Sequence, residues 1–349
     1  MIKVGINGFG RIGRAIFRIN EKNQSFKVVA INDIDPIVDN HAYLLKFDTI
    51  YGRYDGDVSS SNDDMEMVVN NNIISFYNKK KINKVPWEKN NVDIVIDSSG
   101  VYDNVILIRN AIENGIVKKA IITHSPKDGV DHTIIFGINE NSYDSKMHNI
   151  VSTSICDSNS SGPVLKVLDD EFGIDYGFIT TLHPWLSYQN LVDGSLRSVR
   201  SPGHFWNDYS LGRASTESII PKSTTLVEAL RKVIPEISEN LDALSFRIPT
   251  GIVTSSDLTI TIENSVTRNE LNQLFKQISM EHSSIIGYEE NQLVSIDFKG
   301  INESVIVDGR WTRVLKEKTV KLILWYDNEW GYSQRVYDMV NLMGNSFED

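Results

Sequence analysis

Cysteine is almost absent from this chain of 349 residues. With Cys156 as the single cysteine, an internal disulfide framework and a cysteine-rich metal site are both excluded. The seven histidines are scattered and form no His-x-x-x-His pair, so no zinc motif is present and we expect no metal.

Long apolar runs and excess positive charge are also missing. No run approaches the roughly 20 residues of a transmembrane helix, and Met1 leads straight into a strand-like segment, so we expect neither a membrane span nor a signal peptide. A net charge of −11 argues against nucleic acid or an anionic membrane as the main partner. The composition, 41% hydrophobic and 23% charged, is that of an ordinary globular protein. A cytoplasmic enzyme fits these features.

Glycines cluster at the start of the chain in a pattern typical of dinucleotide binding. A strand-like run, Ile2–Ile6, leads into a Gly-x-Gly-x-x-Gly motif and then a helix-like segment. Gly8 would permit a tight turn, Gly10 a close approach of the backbone to a pyrophosphate, and Gly13 close helix packing. For the triplet alone, a glycine-rich loop without a ligand is the alternative. The candidate cofactor residues here are Gly8, Gly10, Arg11, Ile12 and Gly13.

An acidic residue stands where a ribose ligand belongs. A second strand-like segment ends at Asn32 and Asp33, and Asp33 lies 20 residues beyond Gly13. A carboxylate there would bind a free 2′-hydroxyl and repel a 2′-phosphate. The spacing therefore predicts NAD as cofactor, in preference to NADP.

Strand-like runs recur through the first 150 residues, often followed by helical or polar segments, which predicts an α/β, doubly wound Rossmann sheet. Stretches 59–64 and 70–72 are interpreted as exposed turns. The predicted strands are Ile2–Ile6, Val28–Ile31, Val92–Ile96, Ala120–Ile122 and Thr133–Phe136.

The pattern changes from about Ile155, where longer strands with fewer crossovers predict an α+β domain with a mostly antiparallel sheet. Helices are predicted at 163–172 and 333–343. We expect an NAD-binding domain at 1–154, with the C-terminal helix 333–349 packing back on it, and a catalytic domain at 155–332. The predicted strands of the second domain are Gly177–Leu182, Ala243–Ile248, Leu258–Glu263 and Lys321–Trp325.

A long polar loop, Val192–Arg213, contains Phe205, Trp206 and Tyr209. A loop of this length inside a domain is often functional. Its aromatic residues would cover a ligand or face a neighbouring subunit; an ordered surface loop without a site is the alternative.

Several further segments carry a family resemblance over essentially the whole chain. They are Gly5–Arg14, Phe47–Arg53, Thr180–His183, Glu217–Pro221, Phe246–Thr250 and Trp325–Ser333. With these segments the chain resembles the glyceraldehyde-3-phosphate dehydrogenase family. The resemblance implies that Cys156 is the nucleophile, His183 its base partner, and Asn328 the residue that holds the nicotinamide carboxamide. Ser99 and Tyr332 are further cofactor candidates, and a homotetramer is expected.

Cys156 and His183 also suit the chemistry of aldehyde oxidation. An aldehyde gives hydride to a nicotinamide readily only after a nucleophile has made its carbon tetrahedral, and a thiolate does this well. A histidine in hydrogen-bond reach can take the thiol proton and stabilise the developing oxyanion. Taken alone, Cys156 would more often be a small buried residue and His183 a structural one.

Around the nucleophile the chain departs from the family. Ile155 and Asp157 replace a serine and a threonine that help bind the attacking phosphate in relatives, while Thr224 is kept and Thr225 replaces the glycine that follows it. Asp157 should repel a phosphate dianion, and it should raise the thiol pKa unless it points away.

The pocket for the substrate's own phosphate is altered too. Leu186 and Tyr188 stand where the family presents a threonine and an aspartate. Arg213 and Arg247 nevertheless align with the two arginines that grip substrate phosphate, and Lys222 adds a cation nearby in sequence. For both arginines, a surface or interface salt bridge is the alternative.

These features predict an NAD-dependent aldehyde dehydrogenase that oxidises a small anionic or sugar-derived, phosphorylated aldehyde through a cysteine thioester. Hydrolytic release is favoured because of Ile155 and Asp157. Phosphorylating glyceraldehyde-3-phosphate oxidation is the first alternative. A non-catalytic NAD-binding interaction protein is the alternative from another class.

Overall fold

The computed structural model describes residues 1–195 and 208–347, apart from the side chain of residue 346. Two compact units emerge: the first is formed by Met1–Thr133, Ser142–Thr153 and Ser333–Asp349, the second by Ile134–Asn141 and Ser154–Tyr332. Residues 134–141 thus cluster with the second unit although they precede the predicted domain boundary at 154. That boundary stays a prediction.

The first unit is an α/β unit with short crossovers. Its elements are β1 (Lys3–Asn7), α1 (Arg11–Asn23), β2 (Lys27–Asn32), α2 (Val38–Lys46), β3 (Phe47–Asp48), β4 (Gly52–Arg53), β5 (Val58–Ser61), β6 (Glu66–Val69), β7 (Asn72–Tyr77), β8 (Ile94–Asp97), α3 (Asn104–Glu113), β9 (Lys119–Ile122), β10 (His132–Thr133) and β11 (Ile150–Ser152).

Nine of these strands form one sheet in the order β10-β11-β9-β8-β1-β2-β7-β6-β5. All its pairs from β10 to β7 are parallel, while β6 and β5 pair antiparallel. Strands such as β8 read as continuous apolar runs because both of their faces are buried. The predicted doubly wound sheet is confirmed.

Two predicted turns are confirmed in part, and one predicted strand was wrong. Residues 62–64 and 70–71 are exposed turns, as predicted. Residues 59–61 instead belong to strand β5, and Asn72 begins β7, where the strands pair into an antiparallel extension of the sheet. The strand predicted at 133–136 ends at Thr133. The strand propensity of the residues alone does not show where a strand loses its pairing partner and ends.

The second unit begins at the candidate nucleophile. Its elements are α4 (Cys156–Phe172), β12 (Ile174–Pro184), β13 (Ile220–Lys222), α5 (Leu226–Leu230), α6 (Pro235–Ser238), β14 (Leu241–Ile248), β15 (Thr254–Ile262), α7 (Arg268–Glu281), β16 (Ile286–Glu289), β17 (Val305–Asp308), β18 (Arg313–Leu315) and β19 (Thr319–Tyr326), and α8 (Trp330–Gly344) follows and runs into the first unit.

These strands form a mostly antiparallel sheet in the order β13-β14-β12-β15-β19-β17-β16, with β18 paired to β19. Buried and more exposed residues alternate along β15 and β19, as expected for a sheet with one face against a core. Helix α4 packs on β12, β15 and β19. The predicted α+β architecture is confirmed.

Helix α4 begins seven residues before the predicted start at Pro163, which lies inside it. The extra turns are rich in small polar residues, and they form because they are buried and capped: the Ile155 amide donates to Ser158 Oγ at 3.3 Å.

Within the described ranges, no helix combines the length and apolar composition needed to cross a bilayer. Residues 196–207 of the predicted loop, including Phe205 and Trp206, lie outside the described residues.

Candidate active site

The glycine loop of the first unit has the close packing that its motif predicts. Gly8 has a φ of +91°, and a Cβ there would lie 2.7 Å from the Ser99 amide nitrogen. A Cβ on Gly13 would lie 2.3 Å from the Gly8 carbonyl oxygen, whereas a Cβ on Gly10 would meet nothing within 4 Å. The loop is therefore a cradle that larger residues would fill, and the open side at Gly10 suits a bulky phosphate ligand.

Asp33 lies at the end of β2 and supports this loop. Its Oδ2 accepts a hydrogen bond from the Phe9 amide at 2.7 Å, while the side chain keeps 16% of its surface exposed. Helix α1 begins beside it at Arg11, without a side-chain cap on Gly10, so its first amides face out of the helix. This arrangement fits a dinucleotide.

Arg11 and Ile12 form the first turn of α1. Arg11 pairs with Asp48 and lies 5.4 Å from the centroid of the Tyr51 ring. Its side chain thus also has a structural role, and its contact with a cofactor stays a prediction, as does that of Ile12.

A buried polar network that was not predicted from the sequence lies at this edge of the sheet. Fully buried Asp97 accepts hydrogen bonds from Asn7 at 2.8 Å and Ser99 Oγ at 2.6 Å, and burial raises its pKa. Asn7 in turn accepts from Asn32 Nδ2 at 2.7 Å. Each of these residues ends or follows a parallel strand, and this placement could have predicted the network from the sequence. The network fixes the strand ends around the glycine loop.

In the second unit, Cys156 lies at the first position of α4 and keeps part of its surface exposed. The preceding Ser154 adopts a left-handed conformation with φ of +59°, which costs backbone energy in a residue other than glycine. The Tyr332 hydroxyl donates to the Ser154 carbonyl oxygen at 3.1 Å. Tyr332 thus holds the nucleophile turn, and its predicted cofactor contact stays a prediction.

His183, near the end of β12, is buried and faces the thiol. Its Nδ1 lies 2.9 Å from the Pro184 carbonyl oxygen, an acceptor only, so Nδ1 carries the proton and donates. Nε2 is left to accept, 3.8 Å from Cys156 Sγ. Burial, together with the positive charge of Arg247, lowers the pKa of His183 to about 3, so the ring is neutral at neutral pH.

Asp157 points at the thiol. Its Oδ1 lies 3.3 Å from Sγ and accepts the S–H, and it also accepts from the Tyr326 hydroxyl at 2.8 Å. Burial, and next to it the Asp157 charge, raise the pKa of the Cys156 thiol well above its usual value, which confirms the expected direction. Sulfur, carboxylate and imidazole atoms here all lie within 4.8 Å of one another. The expected absence of a metal stays a prediction.

Tyr326 was missed as a site residue. It ends β19, and burial, with the nearby Asp157, raises its pKa well above the usual value. Ser256 Oγ donates to the Tyr326 hydroxyl oxygen at 3.4 Å. Tyr326 stood inside a matching segment, but only the sheet brings it to Asp157.

Arg247 supplies positive charge beside the thiol. It lies opposite His183 in the β12–β14 register and is 6% exposed. Its Nε and Nη1 have no hydrogen-bond partner among the described residues. A buried guanidinium with idle donors suits a carboxylate or phosphate ligand. Its charge favours the thiolate, and Lys222 on β13 adds to the positive charge that acts on His183.

Arg213 and Thr224 are the two further predicted substrate-binding residues of the second unit. Arg213 is exposed and pairs with Asp193 at 2.9 Å. Thr224 Oγ1 accepts from the Leu226 amide, at the start of α5, at 3.3 Å. Their roles in substrate binding stay predictions.

Asn328 follows β19 and is 6% exposed. Its Oδ1 has no hydrogen-bond partner within the described ranges, whereas neighbouring Asp327 accepts from the Gly300, Glu329 and Trp330 amides. A buried amide oxygen without a donor is costly. The donors of a carboxamide would satisfy it, as the predicted nicotinamide contact requires.

Known proteins match the chain over both units. Family models described as "Glyceraldehyde 3-phosphate dehydrogenase, NAD binding domain" and "Glyceraldehyde 3-phosphate dehydrogenase, C-terminal domain" match residues 2–105 and 155–328. Glyceraldehyde-3-phosphate dehydrogenase 1 of Kluyveromyces lactis is 39% identical over 97% of this chain and 99% of the relative. The chain belongs to the glyceraldehyde-3-phosphate dehydrogenase family. Glyceraldehyde-3-phosphate dehydrogenase 2 of Bacillus subtilis is 37% identical over 97% of this chain and 96% of the relative.

Membership of the glyceraldehyde-3-phosphate dehydrogenase family confirms the resemblance drawn from the sequence. The chain is an NAD-dependent oxidoreductase that acts on an aldehyde group. The alternative of a non-catalytic binding protein is set aside.

A first prediction concerns cofactor choice. Asp33→Asn keeps an oxygen that can accept from the Phe9 amide but removes the charge that would repel a 2′-phosphate. We expect the preference for NAD over NADP to narrow on the order of 10-fold or more, measured as the ratio of dissociation constants. Asp55→Asn, at an exposed residue, serves as control and should keep the ratio. Equal wild-type affinity for both cofactors would contradict the prediction.

Proposed function

We propose that this chain oxidises a small anionic or sugar-derived, phosphorylated aldehyde through a Cys156 thioester, and that water releases the acid. The observation that carries the proposal is the Asp157 carboxylate, 3.3 Å from Sγ, at a position where the family resemblance implies a phosphate-binding threonine.

The first half of the reaction uses the thiol and its neighbours. Sγ attacks the aldehyde carbon while the S–H, which donates to Asp157 Oδ1 at rest, turns to His183 Nε2, and the ring takes the proton. His183 releases this proton to solvent after hydride transfer, because its low pKa disfavours the charged ring. The aldehyde oxygen gains the electron pair of the carbonyl bond. Arg247, whose charge already acts on the thiol, lowers the free energy of the negative charge that develops.

NAD, when bound, accepts the hydride that turns the thiohemiacetal into a thioester. Asn328 would orient the carboxamide through its idle Oδ1, and the glycine loop with Asp33 would hold the adenosine half. The same Arg247 guanidinium, with two idle nitrogens, would bind an anionic group of the substrate.

In the second half of the reaction, in which the acyl group is released, Asp157 favours water over phosphate as the acyl acceptor. Unit like charges about 4 Å apart repel by roughly 4 kcal/mol at an effective dielectric constant near 20, enough to weaken phosphate binding about a thousandfold if unrelieved. Arg247 and Lys222 offset part of this repulsion, so the figure is an upper one. Ile155, the N-cap of α4, supplies no hydroxyl donor either.

Phosphorylating oxidation of glyceraldehyde 3-phosphate is the second candidate. The relatives that match nearly the whole chain carry that enzyme's name. The candidate is also favoured by Thr224, whose hydroxyl is kept at a family phosphate position.

A homotetramer in the cytoplasm completes the proposal. One face of the second unit's sheet exposes large apolar side chains, among them Tyr176, Phe178 and Leu182 on β12 and Leu244 on β14. Apolar residues spaced by two on one sheet face are typical of a surface that another copy covers.

The catalytic pair gives a second prediction. Cys156→Ser should abolish NADH formation yet leave NAD binding nearly intact, because the thiol does not hold the adenosine half. His183→Asn should slow the first turnover on the order of 10²–10⁴-fold. NADH absorbance and NAD titration measure both effects. A fully active Cys156→Ser variant would refute the thioester.

The acyl acceptor gives a third prediction. Steady-state NADH formation by the wild type should need no added phosphate, because water takes the acyl group. Asp157→Thr combined with Ile155→Ser should restore some phosphate dependence. Turnover is measured across a phosphate series, with the product identified as free acid or acyl phosphate. A wild type whose rate rises in proportion to millimolar phosphate and that yields acyl phosphate would support the second candidate instead.

The exposed sheet face gives a fourth prediction. Light scattering should report a mass four times the chain mass of 39.5 kDa. Phe178→Glu should lower that mass, since it would bury a charge at the interface. Ile73→Glu, at an exposed apolar residue of the first unit, should not. A monomeric wild type would contradict the assembly.

A further inference from the structure

The Asp157 side chain is held in one place by the second unit. It is 7% exposed and occupies the second position of α4. Tyr326 donates to its Oδ1 at 2.8 Å, and Tyr326 is itself 1% exposed at the end of β19. With Ser256 donating to the Tyr326 oxygen, a chain of hydrogen bonds fixes the carboxylate beside the thiol.

Acylation changes what this carboxylate can bind. Before reaction, Oδ1 accepts hydrogens from both Tyr326 and Cys156. A thioester sulfur carries no hydrogen, so one accepting position on Oδ1 is vacated, 3.3 Å from Sγ. The acyl carbon is bonded to that sulfur, and a water donating to Oδ1 would therefore lie close to it.

Building on the proposed hydrolytic release, we propose that Asp157 is the general base that activates the attacking water. Phosphate dianion needs no base to attack a thioester, whereas neutral water is a poor nucleophile unless a base takes its proton in the transition state. The substitution that repels phosphate thus supplies the group that water requires.

The step balances in atoms and charge. An O–H bond of water breaks and its proton passes to Asp157, while the oxygen forms a bond to the acyl carbon. The C–S bond then breaks, and its electron pair stays on sulfur. Asp157 returns the proton to Sγ, which restores the thiol with its S–H···Oδ1 hydrogen bond, and the acid leaves. No oxidant is needed in this half.

The charges around the thiol favour Asp157 over His183 for this role. Cys156 is faced by Asp157 on its own helix, His183 on β12, Arg247 on β14 and Tyr326 on β19, and Lys222 on β13 adds a charge that acts on His183. Two cations disfavour a further positive charge on His183, whose pKa of about 3 makes it a weak base. A proton on Asp157 removes a negative charge and creates no positive one.

The test separates acylation from release. Asp157→Asn keeps the size of the side chain and an oxygen for Tyr326 but cannot take a proton. With glyceraldehyde 3-phosphate as probe and no phosphate present, we expect a burst of about one NADH per subunit, as in the wild type. Steady-state turnover should then fall on the order of 10²–10³-fold. The acyl-enzyme should accumulate as a mass increase on Cys156, and hydroxylamine should discharge it.

Thiol reactivity provides a second readout. Iodoacetamide should alkylate Cys156 faster in Asp157→Asn, because the charge that raises the thiol pKa is gone. A more reactive thiol together with slower turnover is a combination that misfolding would not give. Asp257→Asn, which removes a carboxylate paired with Lys321 on the same sheet, is the matched control and should leave burst, turnover and alkylation unchanged.

Three results would overturn the role of Asp157. They are an unchanged steady state in Asp157→Asn, a lost burst in the folded variant, and slow turnover without an acyl-enzyme. If Asp157→Asn does not fold, Asp157→Thr, which carries the family's residue, is tested in the same way. A wild type that forms the burst but turns over only with phosphate would instead reject hydrolytic release itself, and the two failures are thereby distinguished.

Discussion

The candidate site of the second unit depends on the balance of charges around one partly buried thiol, that of Cys156. Cys156 lies between a carboxylate, a neutral imidazole and a buried guanidinium, and the carboxylate and the guanidinium shift the free energy of the thiolate in opposite directions. Burial and Asp157 favour the protonated thiol, whereas Arg247 favours the anion. The resting state is therefore a thiol that donates to Asp157, and catalysis must work from that state.

The strand register of the second unit's sheet places these groups around the thiol. β12 and β14 run parallel, with His183 opposite Arg247, and both side chains are buried. β19 carries Tyr326 opposite Thr254 of β15, on the buried side. A shift of one residue in any of these strands would turn a site residue to the opposite face. The site thus depends on pairing set by the apolar core beneath it.

The glycine loop of the first unit is shaped by backbone conformation rather than by charged side chains. Its loop is shaped by the φ of Gly8 and by the close approach of Gly13, and Asp33 ties it to the end of β2. The glycine loop and the polar residues beside the thiol thus belong to different units of the chain.

The sequence by itself determined the class of both units and the cofactor motif, and it pointed to Cys156 and His183 as the candidate catalytic pair. These follow from local periodicity, from residue spacing, and from segments that match a family. It also indicated that Asp157 would disfavour the thiolate, since adjacent residues cannot lie far apart. Only the tertiary structure decided that Asp157 points at the sulfur, that Tyr326 holds it, and that Arg247 keeps idle donors in the interior. It also extended α4 from the predicted start at Pro163 back to Cys156. The physical reason is that these contacts join residues far apart in sequence, and the pairing of strands and the burial of the core bring them together.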